Sequence, residues 1–266
     1  LESADPNVHQ ANWLNCDSAQ LKSAIRLINK YGKQRGERGL PKLLPGLNFI
    51  AGLNGETSAT YDMNLDLLQE IHNEGLLLRR INIRQVEGEG FQEINSEHFN
   101  NFKNTVRNTI DGPLLEELFP LGVRLCKVHW ETHDGRTRLA AHQTESHLGE
   151  SCRGNAGITF GRQIGAYPIL IGVEYHIPLE TQSDIIVTGH GARSITGVEI
   201  NLDHNRVSQK QLEAIPGIGE KTAWKLITQR AKKIRKSGDS NAYESPMQLF
   251  EAANIDWDSD FSVFFE

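Results

Sequence analysis

Apolar positions along the first 110 residues follow two alternating periods. Leu21, Ala24, Ile25, Ile28 and Tyr31 have helical spacing behind Asp17 and Ser18, which can cap a helix, and Gly32 can end it. Leu47-Asn48-Phe49-Ile50-Ala51 is a short buried-strand candidate. Thr57 opens a second helix with Tyr61, Leu65, Leu68 and Ile71 on one face, and Gly75 sits where a left-handed terminating residue belongs. Leu77 to Val86 reads as a further strand, and a third helix from about Ser96 carries Phe99, Phe102, Val106 and Ile110. Strand and helix in alternation predict parallel βα units with right-handed crossovers. Pro113 to Pro120 contains a short helical run and reads as a linker.

The pattern then changes. Val123–Trp130, Ile158–Gln163, Ile169–Val173 and Asp184–Thr188 are short β-rich runs separated by turn signals such as His133-Asp134-Gly135. They predict a small antiparallel barrel of the OB or a related type. Leu139 to Ala156, polar and glycine-containing, reads as an inserted loop. From Val207 the pattern is helical: a short helix to Ala214, a tight turn at Ile215-Pro216-Gly217-Ile218-Gly219, a second helix from Glu220 and a last one opened by Ser245 and Pro246. Asp256 to Glu266 is acidic and aromatic, a segment that either docks or frays. The expected fold is α/β over 1–112, a small antiparallel β-barrel over 121–204, and an α-helical part over 205–266.

Composition narrows the class. The chain has 266 residues, 38% of them hydrophobic, with 24 glycines, which excludes wholesale disorder and fibrous structure. Its longest uncharged apolar stretch, Leu43 to Gly55, is broken by Pro45, Gly46, Asn48, Gly52 and Asn54, so no membrane span is expected. No basic-then-apolar leader with a small-residue cleavage site is seen, so no secretory signal is expected. Cys16, Cys126 and Cys152 are odd in number and widely spaced, which argues against a disulfide framework and for a reducing cytoplasm. Net charge is −6, but between Val207 and Gly238 eight basic residues (Lys210, Lys221, Lys225, Arg230, Lys232, Lys233, Arg235 and Lys236) face only Glu213 and Glu220. Such asymmetry points to a polyanionic partner or, alternatively, to a solvated helix face.

The terminal turn carries the sharpest motif. Gly217 and Gly219 between two helices let the backbone approach a phosphate and aim N–H groups at it from the start of the second helix. Lys221 and Lys225 can add phosphate contacts. The pattern is that of a helix-hairpin-helix and predicts sequence-independent backbone binding. Hairpins of this kind also serve as protein-docking elements. The run Ile50-Ala51-Gly52-Leu53-Asn54-Gly55-Glu56-Thr57 places a glycine-rich turn at the carboxyl end of a parallel strand, where α/β folds bind ligands, although such turns are also purely structural. Arg80, Asn82 and Arg84 alternate with Ile81 and Ile83. A cationic face sealed in a core is costly, so this strand lines a solvated cavity able to hold a carboxylate or phosphate, or else is an exposed edge.

LESADPNVHQANWLN, PGLNFIAGLNGET and GLLLRRINIRQV, in that order, resemble the last part of a radical S-adenosylmethionine (radical SAM) barrel. Its fourth strand ends in an E/Q-S-x-S/A-D type segment and its fifth in an I-x-G-L-P-G-E-T type segment, with Asn54 replacing the usual Pro here. GITFGRQIGAYPILIG and VTGHGARSITGV are similar to the TRAM-like barrel of one archaeal-type radical SAM family that also ends in a helix-hairpin-helix. The resemblance implies that Glu2 and Ser3 lie near the methionine carboxylate or ribose of S-adenosylmethionine, and Ile50, Gly52 and Glu56 around its adenine. It implies a 4Fe–4S cluster and an electron donor in the intact parent, and a substrate that is RNA or associated with nucleic acid. The cluster requires a Cys-x3-Cys-x2-Cys loop, and no such triplet occurs in this chain. This chain alone is therefore not the catalyst, and neither cofactor is expected to bind it stably. The opening at Leu1, mid-strand and without Met, suggests a missing N-terminal half of the barrel. Arg162, His190 and Arg193 are the nucleic-acid-binding candidates of the small barrel. The alternative function is a non-catalytic nucleic-acid-binding module.

Cys126, His129, His133, His142, His147 and Cys152 fall close together in sequence and raise the question of zinc. Cys126 and His129 lie on an expected strand, where residues three apart point to opposite faces. The preferred reading is a histidine-containing surface loop with no metal.

Overall fold

The computed structural model describes residues 1–86, 88–134, 157–165 and 168–265. The chain forms two compact units, Leu1–Pro120 and Leu121–Glu266. Its described part combines a mixed α/β unit with a closed five-stranded barrel and further helices.

In the first unit, α1 (Pro6–Asn12) starts behind Asp5, whose carboxylate accepts the Asn7 N–H at 2.8 Å. α2 (Ser18–Gly32) has a reciprocal cap: Asp17 accepts from the Gln20 N–H, and the Gln20 side chain accepts from the Asp17 N–H. β1 (Gly46–Ala51) and β2 (Arg80–Gln85) pair in parallel, Gly46 opposite Arg80 and Ala51 opposite Gln85. Between them runs α3 (Ser58–Asn73), opened by Thr57, and Gly75 beyond its end takes φ +65° as expected. Leu47, Phe49, Ala51 and Ile81 face a core with Ile25, Leu68, Ile71 and Phe102, where Phe49 and Phe102 meet edge to face at 5.9 Å. The paired region of β2 is shorter than the apolar run Leu77–Val86 because only six residues find partners on β1.

Two local expectations are corrected in this unit, and one holds with a further role for its residue. Gly32 is the last residue of α2, and a Cβ there would lie 2.0 Å from the Leu43 carbonyl oxygen. Its glycine serves close chain approach. Leu1–Asp5 is not a regular strand: a backbone bond, Ile50 N–H to Glu2 O at 2.9 Å, ties it to β1 before the chain bends at Ala4. Pro113 does not start a linker. Helix α4 (Ser96–Val106) passes through a π turn (Arg107–Asp111) into α5 (Gly112–Leu118), and Leu114, Leu115 and Leu118 are buried. Proline lacks the N–H that an α-helix would use here, and the Gly112 N–H reaches back five residues to Arg107 O.

In the second unit β3 (Arg124–His133), β4 (Thr159–Gln163), β5 (Leu170–Val173), β6 (Gln182–His190) and β7 (Ser194–Glu199) close in the order β3-β4-β5-β7-β6. The wholly antiparallel expectation is corrected, because β5 and β7 are parallel. Strand directions cannot alternate around a ring with an odd number of members, so closing five strands requires one parallel pair. The strand absent from the sequence reading is β7. Ile186, Val198 and Ile200 share a core with Leu212, Leu226 and Phe250 of the terminal helices α6 (Gln209–Ala214), α7 (Glu220–Ser237) and α8 (Pro246–Ala252), and with Ile218 of the turn between α6 and α7. The acidic aromatic end docks: Leu202 N–H bonds Phe264 O at 2.9 Å, and Trp257 meets Phe250 edge to face at 5.0 Å.

Candidate functional site

The carboxyl end of β1 is a network of buried polar groups. Gly52 has φ +91°, and a Cβ there would lie 2.4 Å from Val86 O, so the turn needs glycine for its own packing. Its N–H donates to the Glu56 carboxylate at 2.9 Å, and the Tyr61 hydroxyl donates to the other Glu56 oxygen. Burial, and then the neighbouring Glu56 charge, push the Tyr61 hydroxyl pKa well up, so it remains a donor. Glu56 is only 7% exposed. Thr60 donates to Asp5 at 2.6 Å, Asn64 accepts the Ala4 N–H, and the buried Ser3 uses its Oγ on the Asp5 N–H and its carbonyl on His9. Of the candidates at this end, Ser3, Gly52 and Glu56 therefore have internal partners, while Ile50 and Glu2 remain partly exposed, the Glu2 side chain at 42%.

Arg80, Asn82 and Arg84 share the sheet face away from the core with Asn48 and Ile50. Asn82 donates to Asn48 across the pair at 2.8 Å. Arg80 and Arg84 are exposed and have no ion-pair partner among the described residues. The face is polar and open, leaving two guanidinium groups available for an anion.

The second candidate lies in the terminal helices. Ile215 and Ile218 are buried and anchor the turn, in which the Ile218 N–H bonds Ile215 O at 3.0 Å. Gly217 has φ +90° and is exposed, and Gly219, with open space where a Cβ would stand, is the N-cap of α7. The cap offers no side chain, so the first N–H groups of α7 are free of side-chain caps. Glu220 in that first turn sets one negative charge beside it.

At about 100° per residue, Lys221, Lys225, Lys232, Arg235 and Lys236 fall within an arc of about 100° on α7, and all are exposed. The other three basic residues of this segment have internal roles. Lys210 pairs with Glu213 at 2.6 Å, Arg230 donates to His204 O at 3.1 Å, and Lys233 stands 4.0 Å from the Tyr243 ring centre. Burial lowers the Arg230 pKa, consistent with its inward position. Trp224, absent from the sequence-derived candidates, lies on the same exposed face and is 59% exposed. The signal was its helical phase with Lys221, three residues before it.

Of the barrel candidates, Arg162 on β4 pairs with Glu131. His190 and Arg193 flank the β6–β7 turn, and β4 and β6 are not neighbours in the ring.

For the zinc question, the opposite-face expectation is corrected. β3 carries a bulge between Leu125 and Val128 with Lys127 at φ +57°, so Leu125, Val128 and Trp130 are buried while Cys126 and His129 are both partly exposed. Burial, then Asp184, raise the Cys126 thiol pKa. His133 stacks on His176 at 4.1 Å, and its Nε2 faces Ile177 O. Among the described residues no group of three or more His, Cys, Asp or Glu side chains could hold a metal ion. His142, His147, Cys152 and the loop 139–156 lie outside the described residues. No helix among the described residues is long and apolar enough to cross a membrane.

No family model matches the chain. It is 37% identical over 227 residues to an uncharacterized protein of Archaeoglobus fulgidus, covering 82% of this chain and 39% of that protein. It is 33% identical over 208 residues to an uncharacterized protein of Methanocaldococcus jannaschii, covering 74% of this chain and 35% of that protein. The matched part thus spans less than two fifths of either relative's length.

Proposed function

We propose that this chain is the substrate-handling C-terminal part of a radical SAM enzyme acting on RNA or a nucleic-acid-associated substrate, with the second unit holding nucleic acid through its phosphates. In this reading Leu1–Pro120 is the closing βα part of the barrel. The five-stranded ring is the TRAM-like module, and α6, its turn and α7 are a helix-hairpin-helix. One observation carries the reading: the exposed basic face of α7 begins at an exposed glycine turn whose backbone can approach a phosphate. The archaeal relatives, each much longer than the matched part, leave room for the rest of a barrel.

The residues present do not fit the iron–sulfur cluster. It needs three thiolates on a Cys-x3-Cys-x2-Cys loop, and Cys16, Cys126 and Cys152 do not have that spacing. For S-adenosylmethionine the fit narrows to the open face of β1 and β2: Glu56 has its own donors, whereas Glu2, Ile50, Arg80 and Arg84 are the side chains left to meet a ligand. A guanidinium there binds a carboxylate or phosphate through two parallel N–H donors. The second reading is a nucleic-acid-binding module without catalysis, and it rests on the same exposed basic face of α7.

The test is fluorescence anisotropy of a labelled single-stranded RNA with the full chain. Saturable binding at about 50 mM salt, weakened by Lys221→Ala with Lys225→Ala, is the expected result. No binding at that salt would assign the hairpin to protein docking or packing. A Cys-x3-Cys-x2-Cys loop elsewhere in the intact parent separates the enzyme from the bare module.

A further inference from the structure

We infer that Trp224 is a base-stacking residue, and that the face of α7 around it takes single-stranded nucleic acid in preference to a duplex. This rests on the nucleic-acid reading above and goes beyond it, since phosphate contacts alone do not distinguish the two. An indole is among the most favourable side chains to bury, and the protein leaves this one in water. The contrast with other tryptophans is informative. Trp130 is wholly buried and donates its Nε1–H to Ser183 at 2.8 Å. Trp257 packs against Phe250, Phe261 and Phe265. Trp224 has neither a ring contact nor a hydrogen bond among the described residues. Trp13 is also exposed, yet no Lys or Arg lies within five residues of it in sequence.

What singles out Trp224 is its setting. It stands one helical turn beyond the Gly217–Gly219 turn, between Lys221 and Lys225, with Lys232, Arg235 and Lys236 continuing the same face. From Lys221 to Lys236 the stripe runs about 22 Å, and each four-residue step advances about 6 Å. A flat π surface along the edge of a row of cations matches a strand whose phosphates and base faces are both accessible. In a duplex the base faces are stacked on one another and shielded, and an indole on a helix flank finds only groove edges. The cations hold the backbone and the indole takes a base, without reading its identity.

The experiment uses the full chain with a fluorescein-labelled 12-nucleotide oligo(A) RNA and a 12-base-pair RNA duplex at about 50 mM salt. Trp224→Ala is expected to weaken single-strand binding by roughly 5- to 100-fold. Duplex binding is expected to stay within about twofold, and Trp224→Phe to keep most of the single-strand affinity. Unlabelled oligo(A) is expected to quench the tryptophan emission of the native chain, and to quench that of Trp224→Phe far less. Because Trp224 is 59% exposed and lies outside the buried core, the variants are expected to melt close to the native chain, which circular dichroism checks. An equal loss on both ligands, or no loss with quenching intact in Trp224→Phe, overturns the inference. If Lys221 and Lys225 matter while Trp224 does not, the nucleic-acid reading stands and this inference falls. If the native chain binds neither ligand, both fall.

Discussion

Replacing Lys221 and Lys225 together by alanine tests the α7 face most directly, because the structure sets how many charges it can contribute. Eight basic residues lie between Val207 and Gly238, and three have internal work: Lys210 with Glu213, Arg230 on His204 O, and Lys233 over Tyr243. The five left are Lys221, Lys225, Lys232, Arg235 and Lys236, all exposed on one face. Each phosphate neutralised on a single strand releases counterion worth a slope of about −0.7 in log K against log salt. With all five engaged the slope is about −3.5, so raising salt from 50 to 200 mM weakens binding about 130-fold. The double variant keeps three, with a slope near −2.1 and a loss of about 18-fold over the same range. Anisotropy across a salt series reads both numbers. Lys210→Ala and Lys233→Ala are the controls and are expected to leave the slope unchanged. A slope untouched by the double change, or one altered equally by the controls, refutes this division of the charges.

Two further outcomes concern stability. Gly32→Ala puts a Cβ 2.0 Å from Leu43 O, backbone against backbone, so overpacking of about 1–3 kcal/mol and a melting temperature lower by several degrees are expected by circular dichroism. Gly36→Ala, whose Cβ meets only Leu40 O at 3.8 Å, is the near-neutral reference, and equal melting of the two would sink the close-approach account. Glu199 has its carboxyl pKa raised, first by burial, against opposing hydrogen bonds from Ser183, Gln211 and Tyr175. The folded state therefore holds this proton to higher pH than the unfolded chain. Its contribution is fully present below the ordinary carboxylate pKa and is lost as pH rises through the raised value. Glu199→Gln is expected to flatten that part of the stability–pH profile in denaturant titrations and to be relatively more stable near neutral pH. Parallel profiles for the two proteins between pH 4 and 8 would refute the assignment.

What the sequence determined by itself is what a few neighbouring residues decide. Asp17, Thr57, Ser208 and Ser245 open their helices because a cap needs only a short side chain and the next three residues. Pro246 stands in the first turn where its missing N–H costs nothing, and Gly75, Gly217 and Gly238 take the positive φ that L-residues resist. The glycine turn before α7 was legible for the same reason. Tertiary structure decided whatever depends on a distant partner. Gly32 reads as a helix end and is one, but that it must be glycine follows from Leu43 packed against it. The parallel β5–β7 pair follows from closing five strands, and the bulge at Lys127, which changes the side of β3 that His129 occupies, follows from pairing with β6. The sequence places Glu56 at the glycine-rich turn, but only the packing brings it the Gly52 N–H and the Tyr61 hydroxyl as donors. On α7 the charge of each cation was legible, but its availability was not: Glu213, His204 and Tyr243 occupy three of them, and only the packing of α7 leaves Trp224 facing water beside the rest.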